Sequence, residues 1–170
     1  PLNARLEIEA KEEGRKHIPL KVGLGLNSGP AVVGNMGSDQ RFDYSVLGDC
    51  VNLAARLEGQ SKTYGMNVVL GPSTNEAVKD ELATIDLDFI QVKGKTEGTY
   101  IYGLLGDTDV LQKPEFRKVQ GMIKEMMDTY RAMDFETAKR MVAEIRAYPK
   151  CWDLEADLGP LCDIYDERID

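Results

Sequence analysis

The chain has 170 residues, with 21 basic side chains against 29 acidic ones and a formal net charge of −8. Apolar residues at 42% and charged residues at 29% are globular proportions, enough for one domain, or one domain with an appendage, around a buried core. The acid excess excludes a general affinity for nucleic acid or anionic membrane, and no apolar run approaches the ~20 residues of a membrane-spanning helix.

Residues 1–13 read as the end of a helix, with Leu2, Leu6 and Ile8 apolar and Gly14 as its stop. Leu20 to Asn27 alternates with period two as a strand, Ser28-Gly29-Pro30 reads as a turn, and Ala31 to Gly37 returns as a second strand, so a hairpin is expected. Arg41 to Leu47 is a third strand ending at Gly48. From Asp49, expected at the N-cap, the pattern is helical to about Tyr64 and closes at Gly65. Asn67 to Leu70 is a short buried strand, Pro72-Ser73-Thr74 opens a helix to about Asp80, and Ile85 to Val92 and Tyr100 to Leu105 are two strands around Gly94. Beyond Gly106 the character changes. Pro114 to Met133 is an amphipathic helix with Phe116, Val119, Ile123, Met126, Met127 and Tyr130 inward. Asp134 caps a second helix striped by Phe135, Ala138, Val142 and Ile145, and Leu154 to Tyr165 suggests a third. Residues 1–105 therefore form a mixed unit of helices and strands, and residues 106–170 a helical hairpin with a tail.

Charge is uneven along this plan. Residues 151–170 hold seven acids against Arg168, while residues 1–150 are close to neutral. Cys50, Cys151 and Cys162 are an odd number without metal-ligand spacing, which excludes a disulfide framework and argues against zinc. The single histidine, His17, follows Arg15-Lys16 in a polar loop and reads as solvated, so Ser-His or Cys-His hydrolysis has no foundation. The first residues do not read as a signal peptide, and a start at Pro1 without an initiator Met leads to the expectation of a fragment.

Gly23-Leu24-Gly25 with Gly29 resembles a dinucleotide fingerprint only superficially. The glycines lie inside a strand and no helix opens after them, so close packing or approach of a ligand to the backbone is the better reading. The informative stretch runs from Phe42 to Glu58. A strand breaks at Gly48, a helix follows, and Asn52 and Arg56 share one helical face while Leu53 and Leu57 share another. Arg offers a planar charged fork to a phosphoryl oxygen and Asn can orient a sugar hydroxyl. The same spacing also describes an ordinary solvated face.

Val22 to Gly29, Val33 to Ser38 and Tyr44 to Glu58, followed by Val92-Lys93-Gly94-Lys95, together resemble a bacterial class III adenylate/guanylate cyclase catalytic domain. The similarity covers roughly residues 15–105. It implies an α+β, ferredoxin-like nucleotidyl cyclase fold with a mostly antiparallel sheet, here incomplete and followed by the helical hairpin. It further implies that Asn52 orients the ribose, Arg56 meets the α-phosphate and stabilises the transition state, and Ser45, three residues before Gly48, reads the purine edge with a lean towards ATP. Lys93, or failing that Lys95, would contact the β- and γ-phosphates, and Asp49 would serve the helix start. The family's two metal-binding aspartates and the Lys that shares purine recognition belong to the half of the domain expected before residue 1. Asp39 and Asp43, near the hairpin connection, read as turn and surface residues, so this chain supplies no metal ligand.

The implied reaction converts ATP to 3′,5′-cyclic AMP and pyrophosphate with two Mg²⁺ or Mn²⁺ ions, at sites between the subunits of a head-to-tail homodimer. The location implied is cytoplasmic, with any membrane tether in absent N-terminal segments. The alternatives are a guanylate cyclase, or a non-catalytic dimerisation or regulatory module on the same fold. The second is motivated by the missing metal ligands and the added helices, and opposed by the retention of Asn52 and Arg56. Residues 106–170 either pack on the catalytic unit, the preferred reading, or dock a partner protein.

Overall fold

The computed structural model describes residues 2–38, 41–91, 97–152, 154 and 156–170. An N-terminal helix α1 (Leu2–Glu12) is followed by β1 (Leu24–Leu26), β2 (Val32–Ser38), β3 (Arg41–Leu47), α2 (Asp49–Thr63), β4 (Val68–Leu70), α3 (Pro72–Val78), β5 (Ala83–Ile90) and β6 (Thr99–Gly106). Four helices complete the chain: α4 (Thr108–Gln112), α5 (Pro114–Arg131), α6 (Phe135–Arg146) and α7 (Gly159–Ile169). Four strands form one sheet in the order β1-β4-β6-β5, with β1 parallel to β4 and the other two pairings antiparallel. β2 and β3 make a separate antiparallel ribbon, in register from Val32 opposite Leu47 to Ser38 opposite Arg41.

The expected hairpin between the first two strands does not form. After β1 the chain leaves the sheet and runs past the start of α2, where the Asn27 amide donates to the Cys50 carbonyl at 3.2 Å and the Cys50 thiol to the Pro30 carbonyl at 3.1 Å. β1 instead takes β4 as its partner through the crossover made by the ribbon and α2. It is also shorter than the alternation of residues 20–27 suggests, because the Leu20 backbone is held by the Asn3 side chain, through two hydrogen bonds of 2.9 Å. The N-cap of α2 is Gly48, and Asp49 occupies the first turn, where its charge complements the helix dipole. The final helix begins at Gly159, later than its apolar pattern implies, and the short helix α4 has Asp107 as its cap.

α2 lies against β1 with no space between backbones. A Cβ on Gly25 would stand 2.1 Å from the Ala54 carbonyl oxygen and 2.2 Å from the Glu58 nitrogen. Only hydrogen fits there, which is why this strand carries glycine where its alternation would otherwise place a side chain.

The core is continuous from this unit into the C-terminal helices. Leu53, Leu57 and Met66 share one apolar cluster with Leu87 and Ile101 of the sheet, Phe116 and Ile123 of α5, Val142 of α6 and Tyr165 of α7. α5 and α6 form an antiparallel-type helical hairpin whose turn places Met133 at φ 61, and the Asp134 side chain accepts from the Thr137 amide at 3.2 Å, the cap its position predicts. Among the described residues no helix is long and apolar enough to cross a membrane.

Two outcomes test this architecture. Gly25→Ala must push α2 off β1, and a loss of stability of roughly 1–3 kcal/mol, the range of overpacking, is expected in chemical denaturation; an unchanged midpoint would contradict the close seating. Burial pushes the Cys162 thiol up to about 11, so roughly a thousandth of it is thiolate at pH 8. Because the folded-state value is raised, alkylation of Cys162 in native protein should be slow at pH 8, rise about tenfold per pH unit up to about pH 11, and become fast at pH 8 only on unfolding, as followed by mass spectrometry.

Candidate functional site

α2 is amphipathic in the sense its sequence suggests. Leu53, Leu57 and Ser61 are buried, Asn52 is exposed, and Arg56 lies half-buried on the Asn52 side of the helix. The first turn is anchored by amides of Val51 and Asn52, both donating to the Gly48 carbonyl at 3.1 Å. Since Leu53 and Leu57 are fixed in the core and Gly25 permits the backbone contact with β1, the neighbouring face with Asn52 and Arg56, about 100° around the helix, is fixed too. Arg56 Nη1 is buried yet has no hydrogen-bond partner among the described residues. A guanidinium nitrogen withdrawn from water without an acceptor carries a desolvation cost that an anionic ligand would relieve.

Ser45 is on β3, half-buried and opposite Gly34, with two residues of strand and Gly48 between it and α2. Asp43 is exposed on the same strand. Lys93, Lys95 and Asp39 lie outside the described residues. The structure therefore places Ser45, Asn52 and Arg56 on one continuous strand-to-helix segment, and the lysines remain expectations of the sequence.

Sequence reasoning missed Asn27. Its amide nitrogen is spent on the Cys50 carbonyl, while its Oδ1 is buried without a partner among the described residues. Its place at the end of β1, beside the first turn of α2, makes it a second polar group facing the same junction. The only sequence signal was a polar residue closing an alternating strand just before Ser28-Gly29-Pro30, which is also what a plain turn looks like. Ser28 and Thr74 hydroxyls, 2.9 Å apart, tie that loop to α3.

A second polar cluster lies behind the far end of α2. Asp88 of β5 is buried; its Oδ2 accepts from the Tyr64 hydroxyl at 2.7 Å and pairs with Arg168 Nη2 at 2.8 Å. Tyr165 donates to the Leu87 carbonyl at 3.2 Å, with Asp88 Oδ1 at 3.4 Å. Burial, reinforced by the bond to Asp88, holds the Tyr64 hydroxyl well above the ordinary tyrosine range. Burial opposes the charge on Arg168, but the bond to Asp88 and its negative charge outweigh it and keep the guanidinium firmly protonated.

The chain matches known proteins over the unit that holds this junction. The family model for the adenylate and guanylate cyclase catalytic domain matches residues 4–105. An adenylate cyclase of Anabaena cylindrica is 36% identical over 95 residues, 54% of this chain and 19% of the relative, and adenylate cyclase 1 of Rhizobium meliloti is 33% identical over 103 residues, 60% of this chain and 16% of the relative. The chain thus spans less than a fifth of those two relatives. Among solved structures, the adenylyl cyclase CyaB from P. aeruginosa superposes with a TM-score of 0.51 at 29% identity, covering 62% of this chain and 54% of that one. With more than half of its residues matched by one family model, and with a sheet and helices like those of a solved cyclase, the chain belongs to the adenylate and guanylate cyclase catalytic domain family.

Proposed function

We propose that this chain supplies the transition-state-stabilising half of an adenylate cyclase site, which converts ATP to 3′,5′-cyclic AMP and pyrophosphate. The observation that carries the reading is the buried Nη1 of Arg56, without a hydrogen-bond partner among the described residues, on the helix face it shares with Asn52. In the reaction the ribose 3′-oxygen loses its proton and bonds to the α-phosphorus, while the bond from that phosphorus to the bridging oxygen of pyrophosphate breaks. Negative charge spreads over the α-phosphoryl oxygens as this happens. Arg56 donates to one of them and gains strength as the charge grows, which is how a pre-placed cation lowers a barrier. Asn52 orients the ribose so that the 3′-oxygen lies in line with the bond that breaks. Ser45 meets the purine edge, favouring adenine, and Lys93, with Lys95 as the fallback, holds the β- and γ-phosphates.

Divalent metal is the counter-charge for a triphosphate in such chemistry. Among the described residues no group of three or more His, Cys, Asp or Glu side chains could hold an ion. On this reading the metal ligands come from cyclase residues beyond these 170, and the second subunit of a homodimer faces the junction. The ribbon supports such an interface, because Val32 and Tyr44 are 68% and 77% exposed and Val33 and Leu47 are exposed beside them. Apolar side chains standing off a sheet on a two-stranded ribbon are suited to burial against a second subunit.

Arg56→Ala in the full-length protein should lower cyclic AMP formation from ATP by about 10²–10³-fold in kcat, the cost of removing one charge-stabilising donor, while thermal unfolding stays close to wild type. Output at the wild-type level would refute the assignment. The 170-residue chain by itself is expected to convert no ATP in Mg²⁺ or Mn²⁺. Measurable metal-dependent turnover by the purified chain would show that a complete site is present in it.

A further inference from the structure

The polar cluster around Asp88 joins three elements that are remote in sequence: the end of α2 through Tyr64, β5 through Asp88 itself, and α7 through Tyr165 and Arg168. It exists because β5 breaks its alternation. A register irregularity between Asp86 and Asp88 turns both Leu87 and Asp88 inward, so a carboxylate enters the core where a regular strand would have kept it out. Such a group must be matched, and α7 matches it from outside the family-matched unit.

The C-terminal segment grips the same end of α2 a second time. The Asp157 amide donates to the Gly65 carbonyl at 3.1 Å. Gly65 is at φ 69, and a Cβ there would stand 2.5 Å from the Asp157 carbonyl oxygen and 2.8 Å from the Pro160 ring. Leu161, Cys162 and the Tyr165 ring on α7 fill the core with apolar surface, which by itself has no preferred angle. The directional bonds, from Asp157 to Gly65 directly and from Arg168 to Tyr64 by way of Asp88, restrain the angle and axial position of α2. Tyr64 follows Arg56 by eight residues, or about 12 Å along a helix, and a helix of this length moves as a rod.

We propose that Arg168 and Tyr165 are positioning residues for the helix that carries Asn52 and Arg56, acting on it through Asp88 and Tyr64. The proposal rests on the cyclase reading for its catalytic consequence and on the Asp88 cluster alone for its mechanical one. The C-terminal helices are thereby a brace that sets the catalytic face of α2, and a change in how α7 docks is transmitted to Arg56.

The test is made in the full-length protein with two independent readouts. Arg168→Ala should lower kcat about tenfold at a KM within about twofold of wild type, since it displaces a group that acts in the transition state. Arg168→Lys should recover part of the loss, and Glu167→Gln, at an exposed neighbouring position, should be silent. Hydrogen exchange of amides 60–66 should quicken in Arg168→Ala, while α5 stays protected and the emission of Trp152, buried in the C-terminal segment, is unchanged. Wild-type kcat together with wild-type exchange at 60–66 would overturn the proposal. So would a loss of kcat that comes only with exposure of α5 and a shift in Trp152 emission, the mark of an undocked extension. If the wild-type protein makes no cyclic nucleotide, the cyclase reading fails by itself. The exchange of 60–66 then still decides the coupling: faster exchange in Arg168→Ala upholds it and unchanged exchange overturns it.

Discussion

Everything that gives this chain its chemical character depends on how closely α2 approaches β1. The two backbones meet across Gly25, with no volume left for a single methyl group. That contact determines which residues of α2 can face the sheet, and Leu53 and Leu57 take those places. The adjacent positions, Asn52 and Arg56, about 100° around the helix, then have no choice of direction. The orientation of the helix is set by a steric limit, and the placing of a guanidinium follows from it.

The same helix is held at its other end by electrostatics. Around Asp88, two tyrosine hydroxyls and a guanidinium surround a carboxylate that would otherwise be stranded in the core. The two constraints differ in kind. Packing against Gly25 resists compression in every direction, whereas hydrogen bonds to one carboxylate are selective in angle. Other pairs between α6 and α7, such as Arg146 with Asp163 and Asp166, lie at the surface and contribute much less. Asp163, Asp166 and Asp170 of the acidic C-terminal stretch are thus paired with α6, away from the junction at Arg56.

The sequence and the fold agree where local chemistry is decisive. Gly65 as a stop, Asp134 as a cap, Pro72 at a helix start, and the inward stripe from Phe116 to Met127 all follow from backbone preference and periodicity, and all are found. Strand partners are a different matter. Alternation marks residues 20–27 as extended but carries no record of which strand lies alongside, so Ser28-Gly29-Pro30 looked like a hairpin turn while β1 in fact pairs with β4 across a distant register. The paired face of Asn52 and Arg56 was legible because helical spacing is local. The Asp88 cluster was not: it depends on a strand irregularity and on partners 24, 77 and 80 residues away, and none of these leaves a local pattern.

The sequence distance between Asp88 and Arg168 also imposes an order in time. A ribosome making this chain releases β5 long before it reaches α7, and domains begin to fold as they emerge. Through that interval the carboxylate of Asp88 has neither its cation nor Tyr165, so β5 cannot close over it at the cost it has in the finished molecule. The nascent chain thus lacks these partners for Asp88 until α7 has left the ribosome, and the far end of α2 gains its full set of restraints only then.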